Sequence, residues 1–328
     1  MYDNSVRHTT NGAIVAEGLG KRFGDLWALR HLDLDVPAGT VLGLLGHNGA
    51  GKTTAIRILT TLARPTEGAA TVAGFDVVRQ NAEVRRRIGV AAQQATVDGL
   101  LTPRFNLEMV GRLHGLSKAD ARRRADELLE MLDLTDATDR LVKTFSGGMR
   151  RRLDLAASIV ARPEVLFLDE PTTGLDPRSR IELWDVLRDL TRDGTTIVLT
   201  TQYLDEADQL ADDIVVLDHG ETVAHGTPAE LKARVGTDRI DVTLRKKVDL
   251  GRAAKAFGPL TSQKPTTDAE RLVLTAALNE GVRLIDVVRC LEDAGVDPVD
   301  INRRESSLDD VFLTLTHPGR RAGEEVLV

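Results

Sequence analysis

Val41-Leu42-Gly43-Leu44-Leu45-Gly46-His47-Asn48-Gly49-Ala50-Gly51-Lys52-Thr53-Thr54 decides how the rest of the chain is read. Its first five residues form an apolar run with the length of a buried strand. The run breaks at Gly46, and residues 46–53 match G-x-x-x-x-G-K-[ST] in full. Ala55, Ile56, Ile58 and Leu59 then recur at helical spacing, which gives the strand–loop–helix context this chemistry requires. Glycines let a backbone turn its N–H groups inward around phosphate oxygens. The helix that follows presents the positive end of its dipole. Gly46, His47, Asn48, Gly49, Ala50, Gly51, Lys52, Thr53 and Thr54 are expected to cradle a nucleoside triphosphate. Lys52 would bridge the β- and γ-phosphates, and the Thr53 hydroxyl would face Mg²⁺.

The surrounding chain narrows the class. At 328 residues it is long enough for two domains, and 42% hydrophobic with 28% charged residues fits a soluble globular protein. A net charge of −7 and only 3% aromatic residues disfavour a nucleic-acid partner. Cys290 is the sole cysteine, so no disulfide or cysteine zinc site forms within the chain, as suits a reducing compartment. No apolar run approaches the length of a membrane span. Residues 1–12 are polar and lack the apolar stretch of a signal peptide, so they read as a flexible tail.

Upstream of the phosphate loop, Ala13 to Glu17 and Trp27 to Val36 alternate as antiparallel strands, and a further strand follows Glu67. Residues 101–141 turn helical, so about 95–160 reads as a helical subdomain. The arginines at 122–124 fit a solvated helix face. A helix runs from Gly147 to Arg162, followed by the apolar strand Val165 to Leu168, a helix through Ile181 to Leu187, and strands at Thr196 to Thr200 and Ile214 to Leu217. Strands alternating with helices argue for a parallel sheet covered on both faces. Beyond Gly236 a shorter α/β pattern occupies 237–317, and 318–328 reads as a second tail, leaving 13–236 as the nucleotide-binding domain.

Leu166-Phe167-Leu168-Asp169-Glu170 places two carboxylates at the C-terminal end of a buried strand, the edge of a parallel sheet where ligands sit. Asp169 suits the Mg²⁺ shell. Glu170 would then stand near the γ-phosphate, where a carboxylate can polarise the attacking water.

Together these residues resemble an ATP-binding-cassette (ABC) ATPase. Phe145-Ser146-Gly147-Gly148-Met149 is similar to the family's LSGGQ signature, Ile88 to Gln93 to its Q-loop, and Gly174-Leu175-Asp176 to its D-loop. The resemblance implies a P-loop NTPase core with an antiparallel subdomain and a helical insertion, plus the small C-terminal α/β domain. It implies Phe23 stacking on adenine, although Trp27 is a neighbouring aromatic and either can simply be core. Gln93 would sense the γ-phosphate and Mg²⁺. Ser146, Gly147 and Gly148 would face the nucleotide held by Lys52 of a second cassette, a homodimer partner, and Asp176 of the D-loop-like stretch would be among the nucleotide-binding residues. Alone, Ser146 reads equally well as a helix N-cap.

Two departures stand out. Phe145 and Met149 replace Leu and Gln in the signature, and Gln202 stands at the place of the switch histidine. A glutamine amide can donate to a γ-phosphate oxygen but cannot become cationic, so catalysis would rest more on Glu170. Thr200 to Asp208 (TTQYLDEAD) and Ser307 to Leu313 (SLDDVFL) resemble the daunorubicin/doxorubicin-resistance ATPases of actinobacteria. The resemblance implies an ATP-hydrolysing subunit that powers drug efflux through a separate transmembrane permease, peripheral on the cytoplasmic face of the cell membrane. Lipid or polysaccharide export, or a regulatory ATPase outside transport, remain open alternatives. Arg150-Arg151-Arg152 would either tune the anion site or form a charged helix face with Asp154.

Overall fold

Strand β1 (Gly12–Phe23) pairs antiparallel with β2 (Leu26–Pro37) and, on its other side, with β4 (Glu67–Val72), which carries the short β5 (Phe75–Asp76). The protein is described here from a computed structural model over residues 12–92, 96–234, 238–261, 264–279, 281–305 and 307–316. Gly12, expected to close the N-terminal tail, opens β1 instead, while residues 1–11, Gln93 and 318–328 lie outside the described residues. In β2 the buried positions are Leu29, Leu32, Leu34 and Val36. The three-residue step from Leu29 to Leu32 breaks strict alternation. A bulge absorbs it, with His31 at φ +49°, and the leucines return to one face.

The central sheet has the order β10-β9-β3-β8-β7-β6. It consists of β3 (Val41–Leu45), β6 (Ile88–Ala91), β7 (Val165–Asp169), β8 (Thr196–Thr201), β9 (Asp213–Asp218) and the edge strand β10 (Glu221–Gly226). β3 pairs parallel with β8 and β9, and β7 with β8 and β6. Every residue of β3, β7 and β8 is buried, as continuous apolar runs require in a sheet covered on both faces. Successive residues serve opposite cores. Val165, Phe167 and Val198 join Leu42, Leu44, the antiparallel sheet and helix α1 (Lys52–Leu59). Leu166, Leu168, Ile197 and Leu199 join the helical side.

That side is built by α3 (Pro103–Leu113), α4 (Lys118–Met131), α5 (Gly147–Ile159) and α6 (Pro177–Arg192), with α2 (Asn81–Arg87) leading into β6. Thr102, Ser117, Ser146 and Asp176 cap α3 to α6 through their side-chain oxygens. Helix α7 (Leu204–Leu210) follows β8.

The chain divides into two compact units between His225 and Gly226, ahead of the position near 236 where composition changes. The reason is α8 (Pro228–Ala233), a short helix closed by a capping box from Thr227 and Glu230, which packs on the last helix. The second unit holds an antiparallel sheet of order β12-β13-β11-β14, made of β11 (Asp238–Leu244), β12 (Thr266–Asp268), β13 (Val273–Ala277) and β14 (Pro298–Glu305). Helices α9 (Lys247–Ala256), α10 (Leu284–Asp293) and α11 (Leu308–Thr316) complete it. Ile240, Val242, Phe257, Leu274, Val287 and Leu291 are wholly buried there. At α11, Ser307 Oγ accepts from the Asp310 N–H (3.3 Å) and Asp310 Oδ2 accepts from the Ser307 N–H (2.9 Å), so the S-L-D-D run is a reciprocal helix cap.

Candidate functional site

The phosphate loop joins the end of β3 to α1, and its glycines are forced by close neighbours. Gly51 holds φ +108°, and a Cβ there would lie 2.7 Å from the Ala28 carbonyl oxygen; a Cβ on Gly46 would run into the Leu217 carbonyl. Lys52, the first residue of α1, is 5% exposed, and its ammonium donates to the carbonyls of Gly46 (2.6 Å) and His47 (3.1 Å). Burial pulls Lys52 below its ordinary value, while Glu170 and Asp169 pull it back up. Asn48, Gly49 and Thr53 are exposed at the mouth of the loop, and Ala50 and Gly51 are buried under it.

Asp169 ends β7 directly opposite. Thr53 Oγ1 lies 3.4 Å and 3.3 Å from its two carboxylate oxygens. The wholly buried Thr200 of β8 donates its hydroxyl to Asp169 Oδ1 (2.5 Å). These are hard oxygen donors on two converging elements, the set that suits Mg²⁺. Glu170 follows at φ +50°, in the left-handed region that a residue with a side chain seldom adopts. Hydrogen bonds from outside its own turn hold it there. Its N–H donates to the Thr200 carbonyl (3.1 Å) and hydroxyl (3.0 Å), and its carbonyl accepts from Arg151 (3.0 Å).

Arg151 is the residue that sequence reasoning left open. It is no surface charge: it projects from the second turn of α5 into the site and is largely buried. Its guanidinium donates to the carbonyls of Asp169 (2.9 Å), Glu170, Pro171 (2.8 Å) and Ala92 (2.7 Å). Burial lowers its pKa, opposed first by Asp154 and then by Asp169. Asp154, one turn further along α5, accepts from both the N–H and the hydroxyl of Thr96 (2.7 Å each). Gln93 lies outside the described residues, but the residues flanking its segment, Ala92 and Thr96, are both tied to α5. Spacing does not single out Arg151, since both Arg150 at i+4 and Arg151 at i+3 share a helix face with Asp154, and only the folded contacts pick one.

Ser146, Gly147 and Gly148 open α5, and Ser146 Oγ accepts from the Met149 N–H (3.2 Å). A Cβ on Gly148 would meet Leu175 and Ser179, so the signature packs on the first turn of α6. Asp176 caps that turn, accepting from the Ser179 N–H (3.0 Å) and hydroxyl (2.7 Å), and these bonds hold its carboxyl below the ordinary range. Phe145 is buried in the helical core. Gln202 is exposed, one residue past β8. Phe23 is exposed at the end of β1, with the Lys21 ammonium 5.1 Å from its ring centre, whereas Trp27 is half-buried.

The chain thus gathers Lys52, Thr53, Asp169 and Glu170 at one sheet edge and places the signature and Asp176 in a second cluster on the helical side. The arrangement is that of an ATP-binding cassette, and residues 29–173 match the ABC transporter family. The chain is 55% identical to daunorubicin resistance ATP-binding protein DrrA3 of Streptomyces coeruleorubidus, across 95% of this chain and 98% of that protein. It is 49% identical to daunorubicin/doxorubicin resistance ATP-binding protein DrrA of Streptomyces peucetius, across 93% of each. A solved ATP-binding cassette, a dimer in a post-hydrolysis state bound to ADP and Pi, superposes with a TM-score of 0.60 at 26% identity, over 65% of this chain and 98% of that one. The chain belongs to the daunorubicin/doxorubicin-resistance ATP-binding proteins of the ABC transporter family. No helix among the described residues is long and apolar enough to cross a membrane.

Proposed function

We propose that this chain is the ATP-hydrolysing engine of an exporter for hydrophobic, drug-like molecules, working through a separate transmembrane permease at the cytoplasmic membrane face. The observation that carries the reading is the cluster of Lys52, Thr53, Asp169 and Glu170. ATP phosphates displace the Gly46 and His47 carbonyls as partners of the Lys52 ammonium. Thr53 and Asp169 hold Mg²⁺, which when bound offsets charge on the β- and γ-phosphate oxygens. Glu170, fixed by Thr200 and Arg151, orients and polarises the attacking water. Phe23 stacks on the adenine, Gln93 senses the γ-phosphate, and Gln202 donates to it as a neutral amide.

A second copy completes the site. Its Ser146, Gly147 and Gly148, at the N-terminus of α5, supply N–H groups and helix dipole to the γ-phosphate. The permease docks on α3, where Phe105, Met109 and Leu113 leave an apolar stripe exposed.

Size-exclusion chromatography of wild type and Glu170→Gln, with and without Mg-ATP, tests the reading. Monomer without nucleotide and a lasting dimer of Glu170→Gln with Mg-ATP are expected. A mutant that binds ATP and stays monomeric would overturn pairing of the cassette with itself.

A further inference from the structure

The turn Asp218-His219-Gly220 between β9 and β10 is bonded to the phosphate loop. The Gly220 N–H donates to the Ala50 carbonyl (3.0 Å), and the Gly220 carbonyl accepts from the Arg30 N–H of β2 (2.7 Å). Across this junction three side chains converge whose ligand atoms all lie within 4.8 Å of one another: His47 of the loop, Asp218 and His219. His47 Nε2 is 2.8 Å from Asp218 Oδ1, and His219 Nε2 is 3.8 Å from the same oxygen. The two imidazole rings meet edge to face with centres 5.1 Å apart.

Hydrogen-bond counting makes the cluster more than a coincidence. His47 Nδ1 sits 2.6 Å from the Asn48 carbonyl, which can only accept, so Nδ1 carries the proton. In a neutral imidazole Nε2 then presents a lone pair, and it faces a carboxylate oxygen at 2.8 Å. Two acceptors at that distance need a cation between them, either a second proton or a metal. A ring N–H given to a backbone carbonyl, with the other nitrogen turned to a shared centre, is the usual posture of a metal-ligating histidine. The second imidazole within reach favours the metal.

We propose that His47, Asp218 and His219 hold a first-row divalent cation of the zinc class at the rim of the phosphate loop. Zinc bonds of about 2.0–2.2 Å put neighbouring ligand atoms about 3.3 Å apart in a tetrahedron, and the separations of 2.8 and 3.8 Å bracket that value. Two nitrogens and one oxygen suit zinc and disfavour Mg²⁺, which prefers oxygen ligands, so this centre is chemically distinct from the Thr53–Asp169 pair. The fourth position is left to water. The His47 carbonyl is one of the two that hold Lys52, so a metal that staples His47 to the turn holds the loop in its self-bonded form. Zinc therefore opposes ATP entry.

The test uses the full chain, stripped with chelator and free of nucleotide, titrated with Zn²⁺ alone by calorimetry. One saturable site is expected in wild type, with a rise in thermal midpoint. Loss of one ligand, in His219→Asn or Asp218→Asn, is expected to weaken it at least about 10-fold. Asparagine at 219 tolerates the positive φ found there. His225, whose imidazole pairs with Asp213 and is not one of the three ligands, serves as control: His225→Ala leaves the affinity unchanged. His219→Asn keeps wild-type ATPase activity in zinc-free buffer, and only wild type shows a KM for ATP that rises with Zn²⁺. Unchanged affinity in His219→Asn, or no saturable binding, overturns the proposal and leaves His47 and Asp218 as a proton-bridged pair.

Discussion

The Arg151 guanidinium, carried on α5, donates to the main-chain carbonyl of Asp169 at 2.9 Å, so the helix that starts at Ser146 also holds the strand end that presents both carboxylates. The same fork reaches Glu170, Pro171 and Ala92. Arg151→Ala would remove this shared donor from four carbonyls and let Glu170 relax from φ +50°. The expected cost is about 3 kcal/mol in the thermal unfolding of the cassette. In steady-state kinetics kcat falls about 10-fold or more while KM for ATP changes little, because Arg151 positions Glu170 and does not touch the nucleotide. Arg151→Lys keeps the charge but loses the fork, and should recover less than half of the stability.

Glu170→Gln should retain ATP binding and lose hydrolysis by about 10²–10⁴-fold, the usual contribution of a general base. Turnover in a phosphate-release assay, beside nucleotide binding, checks the separation.

At position 202 the amide carries no charge at any physiological pH. Gln202→His should add a new inflection to the kcat–pH profile near the ordinary histidine value of about 6.5, absent in wild type. An unaltered profile would place position 202 outside the reacting centre.

Adenine stacking can be separated from core packing. Phe23→Ala should weaken ATP binding about 5-fold, the worth of one aromatic contact, while Phe23→Trp and Trp27→Phe leave it near wild type. A fluorescent-nucleotide titration reads all three.

Glu206 in α7 is wholly buried, and its Oε1 accepts from Trp184 Nε1 (3.2 Å). Burial raises its pKa, with the hydrogen bond from Trp184 opposing. A carboxyl raised in the folded state adds stability below its unfolded value and loses it as pH climbs through the folded value. Glu206→Gln keeps an acceptor for Trp184 and cannot ionise. Its thermal midpoint should gain on wild type as pH rises above the ordinary glutamate value, and a difference that is constant with pH would refute this.

Much of this was legible because local signals and tertiary context agree. The phosphate loop, the apolar strands and the S/T/D caps each carry their own pattern, and the folded chain uses them as written. Thr200 and Arg151 were harder to read. A threonine inside the run Thr196 to Thr201 looks like ordinary strand composition; only pairing of β8 with β7 shows that its hydroxyl meets Asp169. Arg151 sits among three arginines, and nothing local says which one turns inward. The selection is made by two segments far apart in sequence, the one holding Ala92 and Thr96 and the one at 169–171, which converge on one helix face. The alternation break in β2 and the short helix α8 were hidden for a similar reason: a bulge and a capping box reset the register within two or three residues.

Helix α5 has a consequence for inheritance. If its first turn serves a neighbouring copy's nucleotide while its second turn fixes its own Glu170, a substitution in this one helix is felt twice in a homodimer, once in each active site through a different end. Cells carrying both a normal and an altered gene would then assemble mixed dimers whose two sites are unequal, each damaged in a different way. A defect in α5 should therefore behave as dominant, whereas loss of the gene should not.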